Sequence, residues 1–218
     1  MQLQEFLQDL NARMSAAKTT GFWSETDKKR WINKSIVRVC SFARWNFLNH
    51  YSTQLTEKDV EAYFLPFDYK PGGMMFLKVD GREHVKTSVE NYQSGNHLWE
   101  RVFCLLGDQY LIKPAPAEDG KMIDVYYRRR LIPLVNDTDE PVTPEEMDEA
   151  IVKFALGICL KKEPNRSSEA DKQIMEATAI LQQTKDRQDE EIGEAGYVGQ
   201  ATSSRFLYRN CNPGDFNQ

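Results

Sequence analysis

The sequence predicts an α+β protein, mainly α: a four-helix bundle with a small antiparallel β-domain inserted between its helical pairs, and an extended C-terminal arm. Three observations predict it. Apolar residues recur at helical spacing at both ends of the chain but alternate in the middle. Turn dipeptides of the hairpin kind punctuate the middle, at Asp80-Gly81 and Gly107-Asp108. Past Gly193, glycines and serines interrupt the chain and no period is sustained. The boundaries that follow are 1–58 for the first helices, 59–135 for the β-domain, 136–192 for the last helices and 193–218 for the arm.

Leu3, Phe6, Leu7, Leu10 and Met14 form one apolar stripe and predict a helix over 2–17. Ser24 stands where an N-cap belongs, with Asp27 three residues on, near the positive helix end. Ile32, Ile36, Val39, Cys40, Ala43 and Phe47 continue a stripe and predict a helix over 25–48. The period then changes. Met75, Leu77 and Val79 alternate with their neighbours before Asp80-Gly81, a two-residue hairpin signal. Val102–Leu106, Gly107-Asp108 and Gln109–Lys113 read as a second hairpin, and Ile123, Val125 and Tyr127 mark a further strand. The sheet is therefore expected within 59–132, with a short helix at Lys86–Tyr92 between its strands.

Thr143-Pro144-Glu145-Glu146 has the form of a helix start, with Thr143 as cap, Pro144 in the first turn and Glu146 closing a capping box. Met147, Ile151, Phe154 and Ile158 predict a helix over 144–162. Ala170, Ile174, Ala177 and Leu181 predict another over 168–188, antiparallel to it because the connection is short. The arm at 193–218 still carries Tyr197, Phe206, Leu207, Tyr208 and Phe216, which gives it apolar surface to bury on a partner.

Charge and composition narrow the function. The chain has 218 residues and a net charge of −5, so it lacks the overall basic footprint of a nucleic-acid binder. Residues 1–50 carry +4 and residues 136–194 carry −9, which suits neighbouring basic and acidic helices within or between copies. No apolar run is long enough to span a membrane, and the N-terminus has no secretory pattern. Cys40, Cys104, Cys159 and Cys211 form no CxxC pair, and His50, His84 and His97 stand in no metal-binding spacing. No nucleophile elbow, phosphate loop or dinucleotide motif occurs. The expectation is no catalytic residue, no cofactor and no metal. Trp23, Trp31, Trp45 and Trp99 read as core or interface anchors. Arg128-Arg129-Arg130 ends a strand, where alternation splits the cluster between two faces; an inter-subunit role fits it better than a grip on DNA.

Several strings in fixed order resemble a family. Phe22-Trp23-Ser24-Glu25 is followed by Ile32-Asn33, then Leu65-Pro66-Phe67-Asp68, Tyr110-Leu111-Ile112-Lys113-Pro114-Ala115-Pro116 and Val125-Tyr126-Tyr127-Arg128. Asp139-Glu140-Pro141-Val142-Thr143-Pro144-Glu145-Glu146 leads into Phe154-Ala155. Over about 2–188 this is similar to the head-to-tail connector adaptor proteins of tailed bacteriophages. The C-terminal extension and the basic run at Arg128–Arg130 depart from that pattern.

The resemblance implies a non-enzymatic virion protein at the neck between head and tail, present in the host cytoplasm during assembly. It implies a homo-oligomeric ring, commonly a dodecamer, docked on the portal protein and joined to tail components (nozzle, tail tube or fibres). Genomic DNA would pass through its channel without specific binding, which an acidic balance favours by repelling phosphates. Other phage ring proteins, such as a tail terminator or nozzle, and a nucleic-acid binding module are the alternative readings. The partner-binding residues expected of the arm are Tyr197, Arg205, Phe206, Leu207, Tyr208 and Arg209, with Arg128, Arg129 and Arg130 between subunits.

Overall fold

A computed structural model describes residues 1–19, 23–95 and 99–207, without the side chains of 192–207. The chain forms two compact units: residues 1–45 with 134–218, and residues 46–133. The first holds helices α1 (Leu3–Ala16), α2 (Glu25–Phe42), α4 (Asp148–Leu160) and α5 (Ser167–Leu207). The second holds a seven-stranded sheet and the short helix α3 (Val89–Ser94).

In the helical unit α4 is the axis. Ten of its thirteen residues are buried, so it is apolar nearly all round, as a central helix must be. Helices α1, α2 and α5 all pack on it. The tightest approach is at Gly157, where an added Cβ would come within 2.8 Å of Ile174 Cγ1 and 3.2 Å of the Ala170 carbonyl oxygen. Ser24 caps α2 by accepting from the Asp27 amide at 3.1 Å, as its position in the sequence predicts. Cys40 and Cys159 are buried thiols, and burial pushes the Cys159 thiol up to about 11.

The helical boundaries differ from the sequence reading chiefly in three places. Helix α2 ends at Phe42 rather than 48, because Ala43 turns extended and Trp45 folds back to donate its indole N–H to the Val39 carbonyl at 2.8 Å. The start predicted at Thr143 is a 3-10 turn over Glu145–Met147, and the buried Thr143 hydroxyl has no hydrogen-bond partner, so it caps nothing. The chain's capping box lies instead at α1, between Gln2 and Glu5. Helix α5 continues to Leu207 where an extended arm was expected. Glu190, Glu191, Glu194, Ala195, Gln200 and Ala201 are strong helix formers, and they carry the helix across the glycines.

The larger correction concerns the sheet. The protein is not a mainly helical bundle with a small antiparallel insert. Among the described residues it has five helices and one mixed sheet of seven strands, curled into a half-barrel. The strands are β1 (Asn49–Leu55), β2 (Ala62–Phe64), β3 (Tyr69–Val79), β4 (Arg82–Lys86), β5 (Val102–Leu106), β6 (Gln109–Lys113) and β7 (Met122–Arg129), in the order β1-β7-β3-β4-β5-β6-β2. β4 and β5 pair parallel, because the chain crosses over through α3 between them. β1 was not legible, since its residues are mostly polar and exposed and give no alternation.

The curl brings the two edge strands together. Gln54 on β1 donates to the Phe64 carbonyl on β2 at 2.8 Å and accepts from the Tyr110 hydroxyl at 3.1 Å. Inside lie Leu77, Phe103, Ile112, Ile123, Val125 and Tyr127. Pro71, Gly72 and Gly73, which by composition suit a turn, form a bulge inside β3; Gly72 takes φ +77°, and Gly73 sits so close that a Cβ would lie 2.8 Å from the Arg128 carbonyl.

Gly157→Val should destabilise the helical unit by about 1–3 kcal/mol, the usual cost of overpacking. Urea unfolding followed by circular dichroism checks this; an unchanged midpoint would place the α4–α5 contact elsewhere.

Candidate interaction surfaces

The strings that carry the family resemblance meet in space as fastenings. Asn33, from the Ile32-Asn33 pair on α2, grips the chain where it re-enters the helical unit. Its amide donates to the Leu134 carbonyl at 2.9 Å, and its oxygen accepts from the Leu134 amide at 2.8 Å. Just beyond, the Asp139 carboxylate accepts from the amides of Val135 and Asn136, both at 2.8 Å, and these bonds hold its pKa below the usual carboxylate value. The same loop accepts backbone bonds from Leu3 and Gln4 and an ion pair from Lys29 to Asp137 at 2.8 Å.

In the sheet unit, Asp68 of Leu65-Pro66-Phe67-Asp68 is buried and accepts from the Tyr127 hydroxyl at 2.6 Å. Its carbonyl takes the Arg130 amide at 2.7 Å. Two strings separated by about sixty residues are thus one contact. The sequence reading placed Tyr127 on a strand and Asp68 in an ordered string, without pairing them. The signal it passed over was a carboxylate among apolar and aromatic residues, which needs a donor once buried.

The basic and acidic helices largely neutralise each other inside the helical unit. Arg13 bonds both Asp9 and Glu149. The N-terminal amine pairs with Asp148 at 3.0 Å, and Arg166 pairs with Glu163 and Glu169. Lys153 bridges Glu149 and Glu176. Arg13 is the first cause holding the Glu149 carboxyl below its ordinary value; burial opposes it.

Arg128 and Arg129 end β7 and Arg130 follows it. Arg129 donates to the Phe47 carbonyl at 3.0 Å. None of the three makes an ion pair among the described residues, and the Nε atoms of Arg128 and Arg129 are buried without a partner, as is the Tyr69 hydroxyl. Tyr69 stands opposite Arg129 in the ladder. Tyr197, Arg205, Phe206 and Leu207 lie on the backbone of α5, with side chains outside the described residues; Tyr208 and Arg209 lie outside them altogether, as do His97 and Cys211. Trp31 and Trp45 are core anchors, whereas Trp99 is 60% exposed.

Among the described residues no group of three or more His, Cys, Asp or Glu is arranged to hold a metal, and no helix is long and apolar enough to cross a membrane. His84 is buried, and burial lowers its pKa. What the residues build is a chain fastened to itself by buried polar contacts, with unpaired cations and apolar side chains left on its surfaces. Surfaces of this kind suit a structural protein that works through contacts with other chains. The chain belongs to the SU10 adaptor protein family, whose model matches residues 1–201. It is accordingly a bacteriophage structural adaptor, a virion component that interacts with other virion proteins. No curated protein matches it.

Asn33→Ala should cost about 1–3 kcal/mol, because it leaves the buried groups of Leu134 unpaired; thermal unfolding reads this as a lowered Tm. The Glu149 pair has a pH signature. Because its folded pKa is depressed, its stabilisation is present above the unfolded value and is lost as pH falls through the folded one. Arg13→Gln should therefore be less stable than the wild type at pH 7, with the gap closing below about pH 4. A gap that does not change with pH would show that the ion pair carries no stability.

Proposed function

We propose that this chain is the subunit of a head-to-tail adaptor ring. The ring docks on the portal protein of a tailed bacteriophage and joins it to tail components at the neck, leaving a channel for genomic DNA. The observation that carries the reading is the match to a phage adaptor family over residues 1–201, nearly the whole chain. The order of the connector-like strings supports it. In this reading the ring is a dodecamer, assembled on the portal from subunits made in the host cytoplasm.

The net charge of −5 per subunit suits a passage for DNA, since a ring of like-charged subunits repels phosphates rather than holding them. Tyr197, Phe206, Leu207 and Tyr208 are the anchors on a partner, with Arg205 and Arg209 beside them as donors to acidic groups. A well-buried aromatic contributes about 2 kcal/mol or more at the centre of an interface, and repetition around a ring multiplies the effect. Arg128, Arg129 and Arg130 are the cations available to a neighbouring subunit.

The test is to add the purified protein to portal-bearing heads and image the neck. The full chain should add a ring coaxial with the portal, and a chain lacking 193–218 should keep its fold but fail to attach stably. Full-length protein that leaves the portal bare would refute the docking role. Truncated protein that attaches as well as the full chain would remove the terminal residues from it.

A further inference from the structure

We propose that neighbouring copies meet head to tail, with the outer face of α2 on one copy lying antiparallel against the outer face of α5 on the next. This rests on the ring reading and names the surfaces that would build it.

The two helices are placed for such a contact. Both pack on the buried helix α4, and each keeps an exposed stripe of its own; Gln188 of α5 donates to the carbonyl of Arg44, just past α2, at 3.0 Å. A head-to-tail contact needs two different, complementary surfaces on one chain, and a ring forms when the rotation between successive copies closes.

Their chemistry is complementary. On α2, Arg30, Lys34 and Val37 are exposed at helical spacing and line a shallow hollow with Asn33; Val37 is 51% exposed. Arg30 and Lys34 have no carboxylate partner among the described residues, whereas Lys29 on the adjoining face is paired to Glu25 and Asp137. On α5, Met175, Ala179, Gln183, Asp186 and Glu190 form one exposed stripe. Asp186 bonds only the Gln182 amide, and Glu190 has no cation partner among the described residues. The cations of that stretch are already engaged, Lys185 with Asp189 and Arg187 with Glu146.

Spacing sets the direction and register. Arg30 and Lys34 are four residues apart, as are Asp186 and Glu190, so an antiparallel pairing places Arg30 by Glu190 and Lys34 by Asp186. Val37 then lies beside Gln183, and the apolar end of α2 runs toward Ala179 and the 71% exposed Met175. Pairing α2 with α2 would oppose like charges. A polyanion such as DNA would satisfy α2 but leave the acidic stripe of α5 unused.

The experiment uses the full chain on portal-bearing heads, with wild type as the reference for ring formation. Arg30→Glu with Lys34→Glu should reduce ring assembly by about tenfold or more, and adding Asp186→Lys with Glu190→Lys to the same chain should restore most of it. Circular dichroism confirms that each variant is folded. Separately, chains carrying Val37→Cys and chains carrying Gln183→Cys, all with Cys211→Ser, should form disulfide-linked pairs in the ring only when mixed. Rings that assemble normally with the reversed charges, or that give no mixed cross-link, would overturn the proposal while leaving the ring reading intact. Wild-type protein that forms no ring would overturn both.

Discussion

The helical unit depends on one constraint: its two halves are separated in sequence by the whole sheet unit, so residues from 134 onward must be brought back onto helices made by residues 3–42. Asn33 meets that requirement by hydrogen-bonding both backbone groups of Leu134. Asp139 then rigidifies the loop that follows, and the amides of Leu3 and Gln4 are satisfied by the carbonyls of that loop. The backbone groups at the start of α1, which a helix cannot satisfy by itself, thus become the attachment for the returning chain. With α4 delivered in this way, its all-round apolar surface draws α1, α2 and α5 around it.

The sheet unit solves a different problem. An open sheet leaves two edges with unpaired backbone groups that invite association with other chains. Here the curl brings β1 to β2 and β6, and Gln54 ties the edges with one donated and one accepted bond. The bulge in β3 and the close approach of Gly73 to Arg128 bend the strand at the end of the sheet where Tyr127 reaches Asp68. A buried carboxylate held by a phenol fixes the loop before β3 against β7, and the pairing of Tyr69 with Arg129 sets the register there.

For an adaptor, this division assigns stability and recognition to different residues. The polar groups that fasten the chain are buried or engaged within a unit, so partner binding need not disturb them. Arg30, Lys34 and Glu190, which have no ion-pair partner among the described residues, and the solvent-facing Val37 and Met175 are the groups open to contacts with other chains. Arg13 and Lys29 of the basic segment pair with Glu149 and Asp137 of the acidic one, and Lys153 pairs within the acidic segment, so part of the +4 and −9 is balanced inside each copy. Much of that charge is already neutralised within the fold.

The sequence by itself determined the helices, because their stripes, the Ser24 cap and the break between α4 and α5 are local and periodic. It also carried the family, since the ordered strings need no contacts to be recognised. It did not determine the size and closure of the sheet. β1 is mostly polar and exposed, and its place beside β7 comes from a backbone ladder that side-chain alternation does not announce. The parallel β4–β5 pairing and the meeting of β1 with β2 likewise depend on where the chain returns in space. The roles of Asn33, Asp68 and Tyr127 were decided only by the tertiary structure. Each is a polar group whose partner lies about sixty to a hundred residues away, and only folding brings donor and acceptor together.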